Sequence, residues 1–144
     1  MKKLTLACAL ILASMGLKAQ ITTGKDVAIV ATDAGKVRGY VHSGIYTYKG
    51  IPYAEAARFE APHKPKPWAG VRSSLSYGPV SPLIDETTQV NDESEFVFNH
   101  NWGYTNEDCM RINVWTPGIN DGKKRPVMFW IHGGGFTTGS SIEL

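Results

Sequence analysis

The 144 residues carry 15 Lys and Arg against 13 Asp and Glu, a formal charge of +2. Lys2, Lys3 and Lys18 supply that excess, and residues 20–144 without them carry −1, with no Lys/Arg cluster, which argues against nucleic acid as a partner. The histidines of this stretch lie without ligand spacing, so nothing in the composition calls for a metal or another cofactor.

Lys2 and Lys3 open a basic start, Leu4 to Leu17 is mostly apolar and small, and Leu17-Lys18-Ala19 offers a cleavage site before Gln20. This is the layout of a secretory signal peptide over residues 1–19, cleaved after Ala19 and directing export to the periplasm or the exterior. The apolar stretch is shorter than the ~20 residues that span a bilayer, so no stable membrane anchor is expected. Val27, Ile29 and Ala31 alternate with less apolar neighbours and predict a strand. Thr32-Asp33-Ala34-Gly35 is a turn, Lys36 to Val41 the returning strand, Ser43-Gly44 a second turn and Ile45 to Tyr48 a third strand. Gly50 to Pro82 reads as a long loop broken by prolines, to be pinned by Tyr53, Phe59, Trp68 and Tyr77. Pro82 to Asn106 is acidic and reads as a surface loop or lid.

Met110 to Trp115 alternates cleanly and predicts a strand, ended by Thr116-Pro117-Gly118. Asp121 to Pro126 is a solvated turn. Val127-Met128-Phe129-Trp130-Ile131 is continuously apolar and predicts a strand buried on both faces of a parallel sheet. His132-Gly133-Gly134-Gly135-Phe136 follows. Successive glycines turn the backbone sharply and leave N–H groups uncovered by side chains, an arrangement that holds a negative oxygen. The run is recognised as the His-Gly-Gly-Gly oxyanion motif of lipases and esterases. In that reading Gly134 and Gly135 donate the N–H groups, His132 and Gly133 shape the loop, and Phe136 lines the substrate pocket.

Other segments point the same way. Glu107-Asp108-Cys109-Met110 precedes the alternating strand that ends at Pro117, and Gly50-Ile51-Pro52-Tyr53-Ala54, Arg58-Phe59, Pro67-Trp68-Ala69-Gly70-Val71-Arg72 and Tyr77-Gly78-Pro79 stand upstream in order. Together they resemble the type-B carboxylesterase and cholinesterase-like family. The resemblance implies an α/β-hydrolase fold, with antiparallel opening strands leading into a central, largely parallel sheet. Residues 20–144 would be the truncated N-terminal part of that domain. It also implies a serine nucleophile on a Gly-x-Ser-x-Gly elbow, an acid and a histidine, all expected beyond Leu144. Gly139-Ser140-Ser141 lacks the second glycine and the preceding strand, and is not expected to be the nucleophile.

The resemblance further implies that Arg58 pairs with Glu107, tying the proline-rich loop to the strand entry. Cys109 matches a position that forms a disulfide in the family, but Ser81 stands where the partner belongs. Cys109 is therefore expected to be an unbridged, buried small hydrophobe. The implied function is that of an exported serine carboxylesterase acting on small-molecule esters through an acyl-enzyme. The alternative is a non-catalytic, cholinesterase-like binding or adhesion protein that keeps the fold and lacks the nucleophile.

Overall fold

The computed structural model describes residues 20–82, 104–135 and 139–142. Seven strands form: β1 (Ile21–Thr22), β2 (Ile29–Ala31), β3 (Lys36–Arg38), β4 (Tyr40–His42), β5 (Ile45–Pro52), β6 (Val71–Ser73) and β7 (Arg111–Thr116). No helix occurs among the described residues. The proposed signal peptide and nearly all of the acidic Pro82–Asn106 segment lie outside them, as does Phe136.

One sheet has the order β1-β4-β5-β7, antiparallel throughout, and the other β2-β3-β6, in which β6 runs parallel to β3. The β2–β3 hairpin forms where a strand and turn were expected, but Val27 lies outside β2 and Val30, not Ile29 or Ala31, packs on the core; it closes over a turn in which Thr32 Oγ1 accepts the amide of Gly35 at 3.2 Å. The strand expected to run on to Val41 instead breaks at Gly39 and switches sheets. The cause is steric. Gly39 is buried, and a Cβ there would lie 2.2 Å from the Thr47 carbonyl oxygen and 2.7 Å from the Tyr48 ring. Only glycine admits that approach, and the corner it makes folds one sheet onto the other.

The core lies where the two sheets meet. Ala28, Val37 and Tyr48 are buried, with Val30, Trp68 and Val114 packed around them. Burying a side chain such as Val37, 1% exposed, contributes about 1.5–3 kcal/mol.

The proline-rich region is held by fewer aromatics than its sequence predicts. Trp68 packs on the core and donates its indole N–H to Lys36 O at 3.0 Å, while the Arg72 guanidinium sits 4.3 Å from its ring. The Lys49 ammonium lies 4.0 Å from the Tyr77 ring. Tyr53 and Phe59, by contrast, are 58% and 100% exposed and pin nothing. The region also contains β6, which a three-residue pattern does not announce; Ser74 N donates to Arg38 O at 2.8 Å just past it.

β5 is longer than its alternating part because it continues through a bulge. Its register with β7 pairs Tyr48 with Val114 and then Ile51 with Ile112, so Lys49 and Gly50 together face Asn113. Gly50 has φ +67, a conformation that favours glycine and is typical of such bulges.

The largest departure concerns Val127 to Ile131. They form no strand among the described residues and are 67–94% exposed, Met128 most of all. Their apolar run specifies burial, but a strand exists only when another strand pairs with it. No described segment does so, and the expected parallel sheet is not present among the described residues.

Candidate active site

The path to the glycine loop starts at β7. Past Thr116 the chain makes a tight turn in which Thr116 Oγ1 donates to Gly118 O at 3.0 Å. Asp121 and Arg125 close the next turn as a two-bonded ion pair, one contact being Arg125 Nη1 to Asp121 Oδ1 at 3.0 Å. The Arg125 guanidinium, followed by the Lys123 amide, pulls the Asp121 carboxyl down to about 2. The exposed residues Val127 to Ile131 then lead into His132.

His132 and Gly133 are exposed, and the His132 Nδ1 lies 2.7 Å from the Gly133 carbonyl oxygen. A carbonyl only accepts, so this contact needs the proton on Nδ1 and turns the ring back along the loop. Gly134 and Gly135 follow with φ of 128° and 58°. Both angles fall where side chains are disfavoured, which accounts for glycine at each position.

Beyond residues 136–138 the chain returns against the start of the loop. Gly139 is buried, and a Cβ on it would come 2.3 Å from Gly133 O and 2.9 Å from His132 Nδ1. Ser140 is 5% exposed and its Oγ accepts the Ile142 amide at 3.3 Å. Ser141 is tied to Asn113 of β7, which donates from Nδ2 to Ser141 O at 3.0 Å. Asn113 was not singled out by its sequence, where it reads as one polar position of an alternating strand.

The residues expected to be structural lie elsewhere. Arg58 donates to the Glu107 carboxylate across 49 residues of chain, with both side chains more than half exposed. Glu107 holds the Arg58 proton more firmly, raising its pKa. Asp108 accepts from Arg111 of β7. Glu107 and Asp108 line a polar cleft of about 380 Å³ together with Glu55, His63 and Lys66, which shares no residue with the glycine loop. Cys109 is a free cysteine, half-buried where full burial was expected. Among the described residues no three His, Cys, Asp or Glu side chains converge as a metal site, and no helix is long and apolar enough to cross a membrane.

The two-sheet opening, the β7 strand and the glycine loop after it define a class. The model of the carboxylesterase family matches residues 26–144, and the chain belongs to that family. It is 40% identical over 116 residues to phenmedipham hydrolase of Pseudarthrobacter oxydans, covering 78% of this chain and 22% of that one. It is 36% identical over 124 residues to para-nitrobenzyl esterase of Bacillus subtilis, covering 80% and 23%. Among solved structures, an esterase of Clostridium hathewayi described as hydrolysing aliphatic aromatic polyesters superposes with a TM-score of 0.78 at 42% identity, covering 88% of this chain and 24% of that one. The chain thus spans about a quarter of the length of these relatives or less.

Proposed function

We propose that this chain is the N-terminal part of an exported serine carboxylesterase of α/β-hydrolase fold, in which His132 to Gly135 form the oxyanion loop. The substrate would be a small-molecule carboxylic ester, whose acyl group would pass to the serine with release of the alcohol and then to water with release of the acid. The observation that carries the reading is the backbone at Gly134 and Gly135, two consecutive glycines in conformations that disfavour side chains, just past His132 and Gly133. Donors aimed at a developing oxyanion are worth about 3–4 kcal/mol each when they lie 2.7–3.1 Å from it, and a Cβ at either position obstructs the carbonyl's approach.

Residues 1–144 contain no Gly-x-Ser-x-Gly, so the proposal assigns the nucleophile, the acid and the catalytic histidine to sequence after Leu144. Val127 to Ile131 would there become a strand of a central, largely parallel sheet, and Phe136 would border the acyl or alcohol pocket. Arg58–Glu107 would tie the proline-rich region to the β7 entry, with Cys109 packed beside it. Residues 1–19 would be removed as a signal peptide, leaving Gln20 as the first residue of the exported form, which intact-mass measurement of the secreted or periplasmic protein reads directly.

A fluorophosphonate probe tests the chemistry. It is expected to label the whole protein, which hydrolyses p-nitrophenyl acetate, and to leave residues 20–144 alone unlabelled and inert. Labelling of the 144-residue chain overturns the placement of the nucleophile. A whole protein that folds and takes no label overturns the esterase reading and favours the binding protein.

A further inference from the structure

The Asn113 amide joins three separate parts of the chain. It stands in β7 opposite the bulge of Lys49 and Gly50 in β5. A bulge leaves one backbone group out of the ladder, and here Asn113 Oδ1 accepts the Gly50 N–H at 2.9 Å. The other end of the same amide donates to Ser141 O at 3.0 Å, with Ser141 Oγ at 3.4 Å. Both jobs need a side chain that accepts at one atom and donates at another. An aspartate offers only acceptors and a serine only a single oxygen.

The segment held this way is the one packed against the start of the glycine loop. Gly139 leaves no room for a Cβ beside Gly133 O, and Ser140 is buried. The loop therefore has one firm side. Its approach, Val127 to Ile131, is exposed and unpaired among the described residues, while its return is bonded to β7 at the edge of the antiparallel sheet. From this we infer that Asn113 is a positioning residue for the oxyanion loop: it fixes the return of the chain, and through Gly139 against Gly133 it sets where the amides of Gly134 and Gly135 point. The inference rests on the oxyanion reading of the loop. Displacing a catalytic group by about 1 Å costs on the order of a hundredfold in rate, so a fixed loop base matters to turnover.

The test uses the whole protein carrying Asn113→Ala or Asn113→Asp. The second variant keeps the acceptor for Gly50 and loses the donor to Ser141, and it carries the test if the alanine variant does not fold. Turnover is counted per active site titrated with fluorophosphonate, so misfolded protein does not enter. Both variants are expected to lower kcat for p-nitrophenyl acetate by about ten- to a hundredfold with KM within about twofold. They are expected to weaken inhibition by a trifluoromethyl ketone, whose hemiketal carries the oxyanion, by a similar factor. A merely structural role lowers Tm and the titrated fraction and leaves kcat per site unchanged. Values of kcat per site and of ketone affinity both within about twofold of the unmodified protein overturn the inference. If the unmodified protein takes no fluorophosphonate, the esterase reading fails separately. Amide exchange over residues 132–142 then decides: faster exchange in Asn113→Ala supports the anchor, and unchanged exchange overturns it.

Discussion

Replacing Tyr48 with phenylalanine is expected to stabilise the fold. The side chain is 2% exposed and packs among Ala28, Val37 and their neighbours. Its hydroxyl is buried with no hydrogen-bond partner among the described residues. A buried hydroxyl left unpaired costs about 1–3 kcal/mol, and phenylalanine keeps the ring contacts while removing the cost. A gain of about 1–2 kcal/mol follows, and each kcal/mol raises Tm by roughly 4–8 °C in a domain of 60–100 residues. Burial, followed by the neighbouring Tyr46, also raises the Tyr48 pKa above 10.0. The unfolded chain then releases this proton at lower pH than the folded chain does. The stability tied to that proton is complete below pH ~10 and is lost as pH rises towards the folded pKa. Phenylalanine has no such loss. Urea titrations at neutral pH and again at about pH 10.5 are expected to show the variant more stable in both, by a wider margin in base. A variant less stable than the parent by more than ~1 kcal/mol at neutral pH would mean that the hydroxyl has a partner, and the reasoning would fail.

Gly39→Ala is expected to cost about 3 kcal/mol, because its Cβ would collide with the Thr47 carbonyl and the Tyr48 ring; a urea midpoint equal to the parent's rejects the sheet-switching corner. The Asp121 carboxyl is expected to titrate at about 2 by carbon NMR, and its contribution to stability, present above 3.8, to fade as pH falls through about 2. A midpoint near 3.8 removes the Asp121–Arg125 pair from solution. Glu107→Gln is expected to lower Tm by a small amount, since both members of its pair with Arg58 are largely exposed; an unchanged Tm shows that the pair ties nothing together.

Local patterns predicted the elements that local contacts make. The turn at Thr32 to Gly35 between apolar and β-prone segments is enough to specify the first hairpin, although Val30, not Ile29 or Ala31, is the residue of β2 that packs on the core. The alternation at Met110 to Trp115 gave β7 within a residue at each end. What stayed hidden depends on distant partners. Gly39 reads as an ordinary strand residue until Thr47 and Tyr48 are brought against it. Val71 to Ser73 becomes a strand because β3 lies beside it, and Val127 to Ile131 does not, for want of a neighbour among the described residues. The left-handed turns at Gly134 and Gly135 were legible because the glycines that make them are consecutive residues. Asn113 was not, because its two bonds reach across 63 and 28 residues.

The exposed run from Val127 to Ile131 also poses a colloidal problem. Five uninterrupted apolar residues, four of them β-branched or aromatic and none charged, form a window that pairs readily with copies of itself. Lys123-Lys124-Arg125-Pro126 stands immediately before it. With Arg125 paired to Asp121, Lys123 and Lys124 repel a second copy arriving in register, and the proline withholds the N–H that would begin a ladder. The residues that first read as a solvated turn therefore act as gatekeepers. In the proposed fold they would keep this run single until neighbouring strands pair with it.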